Sequence, residues 1–322
     1  MRLTEQDIRN FTVGAVNITY ENDEYHFFKC TEKQITYFDK IDNGYSRRVR
    51  TTTGIRIDFH TSSDYIAFEA INGGKYELYI DGLLVKQFKI TEKSRLEFNI
   101  KDSFDNIKKE HRLTIILPSH SIGAISYIEV SDDATIQKHE YDKKVLFIGD
   151  SITQGWDTYL DSFSFAYKLS FFLNANSIIQ GIGGACFSEE SFDIFDFEPD
   201  MVFVALGTND FNLFDTLEEL ESNADANLYS ISQAHKGSKL YYISPIWRQS
   251  QNERMGNFSS ARETLIKTAE KNGFLHIDGF SLVPNLPEFY IEDLLHPNIL
   301  GYTQYAENLI RILLKKYTNI DY

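Results

Sequence analysis

The sequence is poor in cysteine and proline, and each shortage excludes a class of protein. Its 322 residues include two cysteines, Cys30 and Cys186, so at most one disulfide could form and no disulfide framework holds the fold. Six prolines and eighteen glycines exclude a collagen-like or fibrous chain. Apolar residues at 42% and charged residues at 25% are typical of a soluble globular protein and exclude a mainly disordered one.

Positive charge is also in short supply. The chain has 32 Lys and Arg residues against 47 Asp and Glu, a formal net charge of −15. So acidic a surface repels phosphate backbones and anionic lipid headgroups, which argues against nucleic acid and membrane partners. It also favours a neutral or cationic substrate over a strongly anionic one.

Long apolar runs are missing as well. No run approaches the roughly 18 apolar residues that a membrane-spanning helix needs. The N-terminal segment mixes both charge signs and contains no stretch typical of a signal peptide. These absences predict a cytoplasmic protein, unless a signal sequence has been removed from a secreted one.

The length and a change of pattern near residue 140 predict two domains. A single hydrophobic core rarely grows beyond about 250–300 residues. The segment 131–144 is polar and lacks periodicity, and the patterns on its two sides differ. We therefore predict a β-sandwich domain over residues 1–138 and a second domain over residues 139–322.

The predicted first domain carries almost uninterrupted strand signals. Short runs rich in Ile, Val, Thr, Tyr and Phe are separated by turn sequences, such as the Asn-Gly-Gly at 72–74. The clearest predicted strands are residues 13–20, 54–60, 65–71, 75–80 and 111–117. In residues 55–60 apolar and polar side chains alternate, which predicts a strand with one buried face. Eight or so strands without a convincing amphipathic helix predict a jelly-roll-like sandwich.

After residue 144 apolar strands alternate with helical patterns. Strands without polar alternation, such as residues 201–206, are typical of a parallel sheet covered on both faces. The predicted strands are residues 145–148, 177–180, 201–206, 240–244 and 274–277. The predicted helices are residues 163–173, 216–235, 259–271 and 299–317. This order predicts an α/β domain.

Ligands of parallel α/β sheets bind beyond the carboxyl ends of the strands, so we examined the loops that follow them. The first loop begins Gly-Asp-Ser-Ile at 149–152. A serine at the N-terminus of a helix suits a nucleophile, although Asp150 or Ser151 could instead only cap the helix. In the second loop, Gly183 and Gly184 either bring a backbone N–H to an oxyanion or form only a tight turn.

The third and fourth loops carry an amide and an Asp–His pair. Asn209 could donate its side-chain N–H to an oxyanion, or form only an Asx-turn. Asp293 lies three residues before His296, and a carboxylate can fix the tautomer of an imidazole that acts as a base. The spacing alone is weak, because Asp23 and His26 repeat it in the first domain.

The four motifs occur in order along the chain, and each follows a predicted strand. In this arrangement the chain resembles the SGNH (GDSL) hydrolase superfamily. The conserved blocks of that superfamily are named for their Ser, Gly, Asn and His residues. The resemblance covers residues 144–317 and implies a flavodoxin-like three-layer fold. It also implies that Ser151 is the nucleophile, His296 the base and Asp293 its orienting acid. Ile152 stands where the founding members of the superfamily have Leu.

The resemblance further implies an oxyanion hole made of the Ser151 N–H, the Gly184 N–H and the Asn209 side chain. Gly183 is the alternative to Gly184. The preceding sandwich makes the architecture similar to that of family-two carbohydrate esterases and of a few two-domain SGNH acyl-modifying enzymes. Many of those esterases lack the triad acid, whereas Asp293 is present in this chain.

These features predict a serine esterase that removes a short acyl group, acetyl foremost, from a carbohydrate or related small molecule through an acyl-serine intermediate. Three alternatives are an acyltransferase with the same triad, a lipase- or thioesterase-type acylhydrolase, and a carbohydrate-binding sandwich joined to a decayed hydrolase. No cofactor or metal is expected, because the eight histidines form no H-E-x-x-H motif and no close pair. The sequence does not determine the oligomeric state.

Aromatic residues follow three of the site loops and the predicted strand 240–244. They are candidates for lining the substrate pocket, with simple packing as the alternative: Trp156, Phe187, Phe211 and Trp247. Cys186 has no base beside it in the sequence, so we expect a small packed residue rather than a nucleophile.

Overall fold

Two antiparallel β-sheets and one parallel β-sheet form the frame of the protein, seen in a computed structural model that describes residues 1–101 and 109–318. The strands of the antiparallel sheets are β1 (Thr12–Val13), β2 (Asn17–Glu21), β3 (Glu24–Phe28), β4 (Arg56–Thr61), β5 (Tyr65–Ala70), β6 (Gly74–Ile80), β7 (Leu83–Ile90), β8 (Ser94–Asn99), β9 (His111–Ile116), β10 (Ala124–Val130) and β11 (Ile136–Lys138). One sheet has the order β1-β4-β9-β6-β7 with β11 paired to β4, and the other has the order β2-β3-β10-β5-β8. All of these pairings are antiparallel.

The two antiparallel sheets share one apolar core. Ile57 and Phe59 enter it from β4, and Ile66 and Phe68 enter it from β5. Alternate residues of a strand point to opposite faces, so these i, i+2 pairs bring one face of each sheet to the same core. The predicted β-sandwich is confirmed.

The outer face of β4 differs from the expectation. The alternating pattern predicts one buried face, but Arg56 and Asp58 on the other face are each only 1% exposed. The Arg56 guanidinium donates to the Ala175 carbonyl at 2.6 Å and to Ser177 Oγ at 3.2 Å. A buried charge has to be hydrogen-bonded, and Arg56 finds its acceptors in the part of the chain after the sandwich. The outer face of β4 is therefore a polar surface on which the sandwich packs against the rest of the chain.

Three helices near the N-terminus are a further difference, since the sequence predicts none in this part. They are α1 (Glu5–Phe11), α2 (Glu32–Asp39) and α3 (Asn43–Val49). Each begins at a capping side chain, and these caps are Thr4, Thr31 and Asp42. Helices this short show little hydrophobic periodicity and depend on caps and tertiary packing, which explains why the pattern did not reveal them.

The parallel sheet has the strand order expected of a flavodoxin-like domain. Its strands are β12 (Lys143–Gly149), β13 (Ala175–Gly181), β14 (Met201–Ala205), β15 (Lys239–Ile243) and β18 (Leu275–Ile277), and a separate ribbon is formed by β16 (Asn252–Glu253) and β17 (Gly256–Asn257). The sheet order β13-β12-β14-β15-β18 is 2-1-3-4-5 by sequence, so the predicted fold is confirmed.

Helices cover both faces of the parallel sheet. The helices are α4 (Ser151–Gln154), α5 (Phe165–Phe172), α6 (Asp210–Leu213), α7 (Leu217–Ala234), α8 (Phe258–Lys271) and α9 (Ile299–Thr318). In β14, Val202 and Val204 join the core that contains residues of α7 and α8, while Phe203 joins the core that contains residues of α5 and α9. None of the helices described is both long and apolar enough to cross a membrane.

The N-terminal part of the chain also contributes to one of these cores. Cys30, Phe38 and Val49 are buried in the cluster that lies under α7 and α8. The last strand of the sandwich ends at Lys138 and the first parallel strand begins at Lys143. The domain boundary between residues 138 and 139 stays a prediction, and α2 and α3 reach across it.

Candidate active site

Ser151 lies where the central strand β12 passes into the short helix α4. The helix is capped by Asp150, whose Oδ1 accepts the Ile152 N–H at 2.9 Å. The capping function considered for this motif therefore belongs to Asp150. The Ser151 side chain is therefore free to bond to another partner. The residue itself is only 7% exposed.

That partner is His296. Ser151 Oγ lies 2.8 Å from His296 Nε2, and His296 Nδ1 lies 2.6 Å from Asp293 Oδ2. An ionised carboxylate only accepts, so it holds the proton on Nδ1 and leaves the Nε2 lone pair facing the serine hydroxyl. The three predicted triad residues thus form one hydrogen-bonded chain.

The loop that carries the Asp–His pair is held by its own backbone. Asp293 Oδ1 accepts the N–H groups of Leu295 and His296, each at 2.9 Å. Leu294, which directly follows Asp293, has a φ of 50°. This left-handed conformation is uncommon for a bulky residue and is found where the surrounding structure imposes it. Burial would raise the pKa of Asp293, but hydrogen bonds from the His296 ring and from these backbone N–H groups outweigh it and hold the pKa below its ordinary value.

The glycine loop offers one free N–H beside the serine. The Gly183 N–H donates to Gln154 Oε1 at 3.0 Å. Gly184 has a φ of 84°, and within residues 1–101 and 109–318 its N–H has no hydrogen-bond acceptor. The geometry therefore favours Gly184 over Gly183 as the oxyanion donor, the alternative that the sequence left open.

Asn209 reaches the same region from the loop after β14. Its Nδ2 donates to the Ala185 carbonyl at 3.2 Å and faces Asp150 Oδ2 at 3.4 Å. The second contact is long for an N–H···O hydrogen bond, so this hydrogen can be redirected to a better acceptor. Arg248 braces the loop by donating to the Thr208 carbonyl at 2.7 Å. Asn209 thus lies between Asp150 and the glycine loop, and the catalytic role of both predicted oxyanion donors stays a prediction.

Two contacts that sequence reasoning missed hold the glycine loop from outside. The Tyr45 hydroxyl, on α3, donates to the Gly184 carbonyl at 2.6 Å. Gln154 accepts from Gly183 and donates through Nε2 to the Ser119 carbonyl at 2.8 Å. Gln154 follows the serine motif by two residues and could have been found there. Tyr45 gave no signal, because it lies 139 residues away on an unpredicted helix.

Two buried carboxyl groups lie beneath the site. Burial raises the pKa of Asp150 to about 6 and that of Asp210 to about 7. Asp210 Oδ1 accepts the Phe187 N–H at 2.6 Å, which ties the loop after β14 to the glycine loop. Asp210 thus links two loops of the site through a backbone hydrogen bond.

The four aromatic candidates have different environments. The Trp156 ring centre lies 6.0 Å from that of His296, and the side chain is half exposed at the site. Phe187 and Phe211 are at most 1% exposed and belong to the apolar core, so the prediction that they line a pocket is wrong. Trp247 packs against Tyr290, with 5.2 Å between ring centres. For Phe187 and Phe211 the packing alternative holds, whereas for Trp247, which is partly exposed, lining of the pocket stays a prediction.

Cys186 lies beside the glycine loop without the surroundings of a nucleophile. Its Sγ donates to the Gly184 carbonyl at 3.6 Å, and burial raises the pKa of the thiol well above its ordinary value. The reactive thiolate is therefore disfavoured. Both cysteines are free thiols. In the described parts of the chain, no three His, Cys, Asp or Glu side chains are grouped so as to hold a metal ion.

Solved structures of similar fold cover nearly the whole chain. The salicylyl-acyltransferase SsfX3 from a tetracycline biosynthetic pathway has a TM-score of 0.82 at 16% identity, over 95% of this chain and 94% of that one. A protein from Bacteroides ovatus described as a GDSL-like lipase gives 0.73 at 18% identity, over 100% and 99%. A family two carbohydrate esterase from Clostridium thermocellum gives 0.67 at 15% identity, over 84% and 94%.

At these identities the structural similarity establishes the fold, and the family is indicated by sequence. No curated protein sequence shows significant similarity to the chain. The sequence model of the GDSL-like Lipase/Acylhydrolase family matches residues 147–304, a span that contains the serine, glycine, asparagine and histidine motifs. Residues 147–304 thus carry the sequence pattern of this family, which indicates a hydrolytic esterase.

Proposed function

We propose that the protein is a serine esterase that hydrolyses short acyl esters, acetyl esters foremost, of a carbohydrate or related small molecule. The observation that carries this proposal is the continuous hydrogen-bonded chain from Ser151 Oγ through the His296 ring to Asp293 Oδ2, with distances of 2.8 and 2.6 Å. A nucleophile, a base and an orienting acid in this order are what acyl transfer through a covalent intermediate requires.

Acylation is the first half of the reaction. His296 Nε2 takes the proton of the Ser151 hydroxyl as Oγ forms a bond to the ester carbonyl carbon, and Asp293 stabilises the imidazolium that results. The carbonyl oxygen becomes an oxyanion, to which the Gly184 N–H and the Asn209 side chain donate. His296 then gives the proton to the leaving alcohol oxygen, and the carbon–oxygen bond of the ester breaks.

Deacylation repeats the sequence with water. His296 Nε2 takes a proton from a water molecule whose oxygen attacks the acyl-serine carbonyl, and the same donors stabilise the second oxyanion. Collapse of this intermediate breaks the bond to Ser151 Oγ, which regains the proton from His296. A free carboxylic acid leaves and the resting enzyme is restored.

Crowding beside the nucleophile supports a short acyl group. A Cβ atom placed on Gly183 would lie 3.2 Å from Arg48 Cδ, 3.2 Å from Gln154 Oε1 and 3.7 Å from Ser151 Cβ. Little free space is therefore left directly between the Gly183 backbone and the serine. The family two carbohydrate esterases of similar fold support a carbohydrate as the alcohol part.

The test uses the full chain and a series of 4-nitrophenyl esters from acetate to octanoate. We expect turnover that is fastest for the shortest acyl chains and is abolished in Ser151→Ala. Absence of Ser151-dependent turnover on every ester would contradict the proposal. A rate that rises with chain length would instead support the lipase- or thioesterase-type alternative.

A second candidate is an acyltransferase that uses the same triad. It is favoured by the TM-score of 0.82 to SsfX3, an enzyme named for salicylyl transfer. In this reaction an acceptor alcohol replaces water in deacylation. Product analysis in the presence of candidate sugar and phenol acceptors distinguishes the two, since a hydrolase releases only free acid and a transferase also forms a new ester.

A further inference from the structure

A cleft beside the catalytic serine is lined by positive charge. It has a volume of about 340 Å³ and lies between helix α3 of the N-terminal part and the loop after Ser151. Arg47 and Arg48 line it from α3, His120 lines it from the loop after β9, and Gln154 and Trp156 line the opposite side.

The cleft adjoins the catalytic centre. Trp156 forms part of its wall, and its ring centre is 6.0 Å from that of His296 and 5.6 Å from that of His120. Arg48 Cδ and Ser151 Cβ both lie within 4 Å of the position that a Cβ of Gly183 would occupy. A group attached to an ester bound at Ser151 can therefore reach the Arg48 guanidinium.

The two arginines keep their charge available. Among the residues that the structure describes, neither Arg47 nor Arg48 forms an ion pair. The Arg48 guanidinium is held by the Tyr45 ring, 4.3 Å from its centre, and its Nε donates to the Gly44 carbonyl at 3.0 Å. These contacts fix its direction without neutralising it, which leaves the terminal N–H groups for a ligand.

The nearby carboxylates are already engaged. Asp42 Oδ1 accepts the Tyr45 N–H at 2.8 Å as the cap of α3. Asp161 is buried, accepts the Ser119 N–H at 2.6 Å and faces His120 at 3.6 Å. Neither carboxylate lines the cleft, so the charge on its wall is that of the arginines, in a protein whose net charge is −15.

We propose that this cleft recognises an anionic group, a carboxylate on the non-reacting part of the ester, and that Arg48 is its main contact. A guanidinium donates two parallel N–H groups to the two oxygens of a carboxylate. A neutral sugar hydroxyl has a single oxygen and no charge, so it makes weaker use of these donors. The proposal rests on the proposed esterase function and narrows its substrate class. It also reverses, for this site, the preference for neutral or cationic substrates that the overall charge indicates.

The carboxylate can belong to the alcohol part or to the acyl part of the ester, and two matched substrate pairs distinguish them. The first pair is 4-acetoxybenzoate and its methyl ester. The second pair, in which the acyl part carries the charge, is 4-nitrophenyl hydrogen glutarate and 4-nitrophenyl valerate. The rate measured with Ser151→Ala is subtracted as the uncatalysed background. The quantity measured is the ratio of kcat/KM for the charged ester to that for the neutral ester within each pair.

The variants are Arg48→Gln and, as a matched control, Lys40→Gln, which removes one positive charge from an exposed position outside the cleft. We expect the wild-type ratio to exceed one in one of the two pairs. Arg48→Gln should lower that ratio about tenfold, chiefly through KM, because a charge-assisted hydrogen bond is lost. Lys40→Gln should leave it unchanged, and the ratio is insensitive to the fraction of folded enzyme.

Several outcomes overturn the inference. One is Ser151-dependent turnover of neutral esters without a charge preference in either pair, which leaves the esterase function intact. Another is an equal loss on both members of a pair in Arg48→Gln. If no ester is turned over, the esterase function fails first. Calorimetric titration of the Ser151→Ala variant with 4-hydroxybenzoate, with and without Arg48→Gln, then tests the cleft independently of activity, and absence of Arg48-dependent binding rejects it.

Discussion

The Tyr45 hydroxyl donates a 2.6 Å hydrogen bond to the carbonyl of Gly184, the residue proposed as an oxyanion donor. The neighbouring peptide is held as well, since the Gly183 N–H donates to Gln154. Both sides of the Gly184 peptide nitrogen are therefore fixed, one of them by a helix that belongs to the N-terminal part of the chain. The N-terminal part of the chain thus holds the glycine loop of the candidate site directly.

Tyr45→Phe removes this hydrogen bond and keeps the ring that packs on Arg48 and Phe38. We expect kcat to fall about tenfold with KM nearly unchanged, because the Gly184 N–H stabilises the oxyanion only once it has formed. Steady-state kinetics on 4-nitrophenyl acetate measure the effect. Tyr20→Phe is the control, since the Tyr20 hydroxyl bonds the exposed Asp23 far from the site. A wild-type kcat in Tyr45→Phe would show that the contact does not position the loop.

Asn209→Ala should lower kcat by about 10²–10³-fold, the range found when one oxyanion donor is removed from another hydrolase. KM should change little, since the lost hydrogen bond forms mainly in the transition state. The melting temperature of the variant serves as the folding control. If KM rose while kcat stayed the same, Asn209 would bind substrate rather than stabilise the oxyanion.

Asp293→Asn should reduce kcat by about 10²–10⁴-fold, because an amide no longer holds the imidazole proton on Nδ1. The lower end of the range allows for the partial exposure of this carboxylate, whose side chain is 41% accessible. Asp23→Asn, at the other Asp-x-x-His sequence, is the matched control and should be silent. Equal activity of the two variants would remove Asp293 from the mechanism.

Asp210→Asn tests the buried carboxyl beneath the site through the pH dependence of stability. Burial raises the pKa of Asp210 from 3.8 to about 7 in the folded protein, so between these values the folded state binds more protons than the unfolded state. This group therefore lowers the free energy of unfolding as pH rises from about 4 to about 7, and an asparagine cannot.

Denaturant unfolding of wild type and Asp210→Asn at several pH values measures this contribution. Relative to wild type, the variant should gain at least about 1 kcal/mol between the acid and the alkaline end of the window. The comparison cancels the other titrating groups that the two proteins share. Curves that run parallel from pH 4 to pH 8 would contradict a raised pKa for Asp210.

Much of the fold and the core of the site could be predicted from local sequence. The parallel strands are apolar without alternation, because helices cover both of their faces. This pattern is visible within each short segment that forms a strand. The site motifs follow strand ends, and the topology of a parallel sheet brings those ends to one edge. For this reason four short motifs, far apart in sequence, were enough to propose Ser151, Asp293 and His296 together.

The two Asp-x-x-His sequences show what spacing cannot decide. Asp293 and His296 pair because the loop between them turns, with Leu294 in a left-handed conformation. Asp23 instead accepts the Tyr20 hydroxyl at 3.0 Å, while His26 lies on a strand and faces Glu24 at 3.6 Å. The same spacing of three residues thus gives a hydrogen-bonded pair or none, according to the backbone that carries it.

The sequence by itself determined the sandwich and the parallel sheet, because each depends on a local pattern of side chains, and it indicated the candidate triad through the resemblance to the SGNH superfamily. Only the tertiary structure decided which glycine keeps a free N–H, that Phe187 and Phe211 belong to the core, and that α3 brings Tyr45 and Arg48 to the site. These depend on contacts between segments far apart in the chain, as Tyr45 and Gly184 are. A short capped helix such as α3 has too little hydrophobic periodicity to be predicted from sequence. The residues that it contacts are therefore seen only in the folded structure.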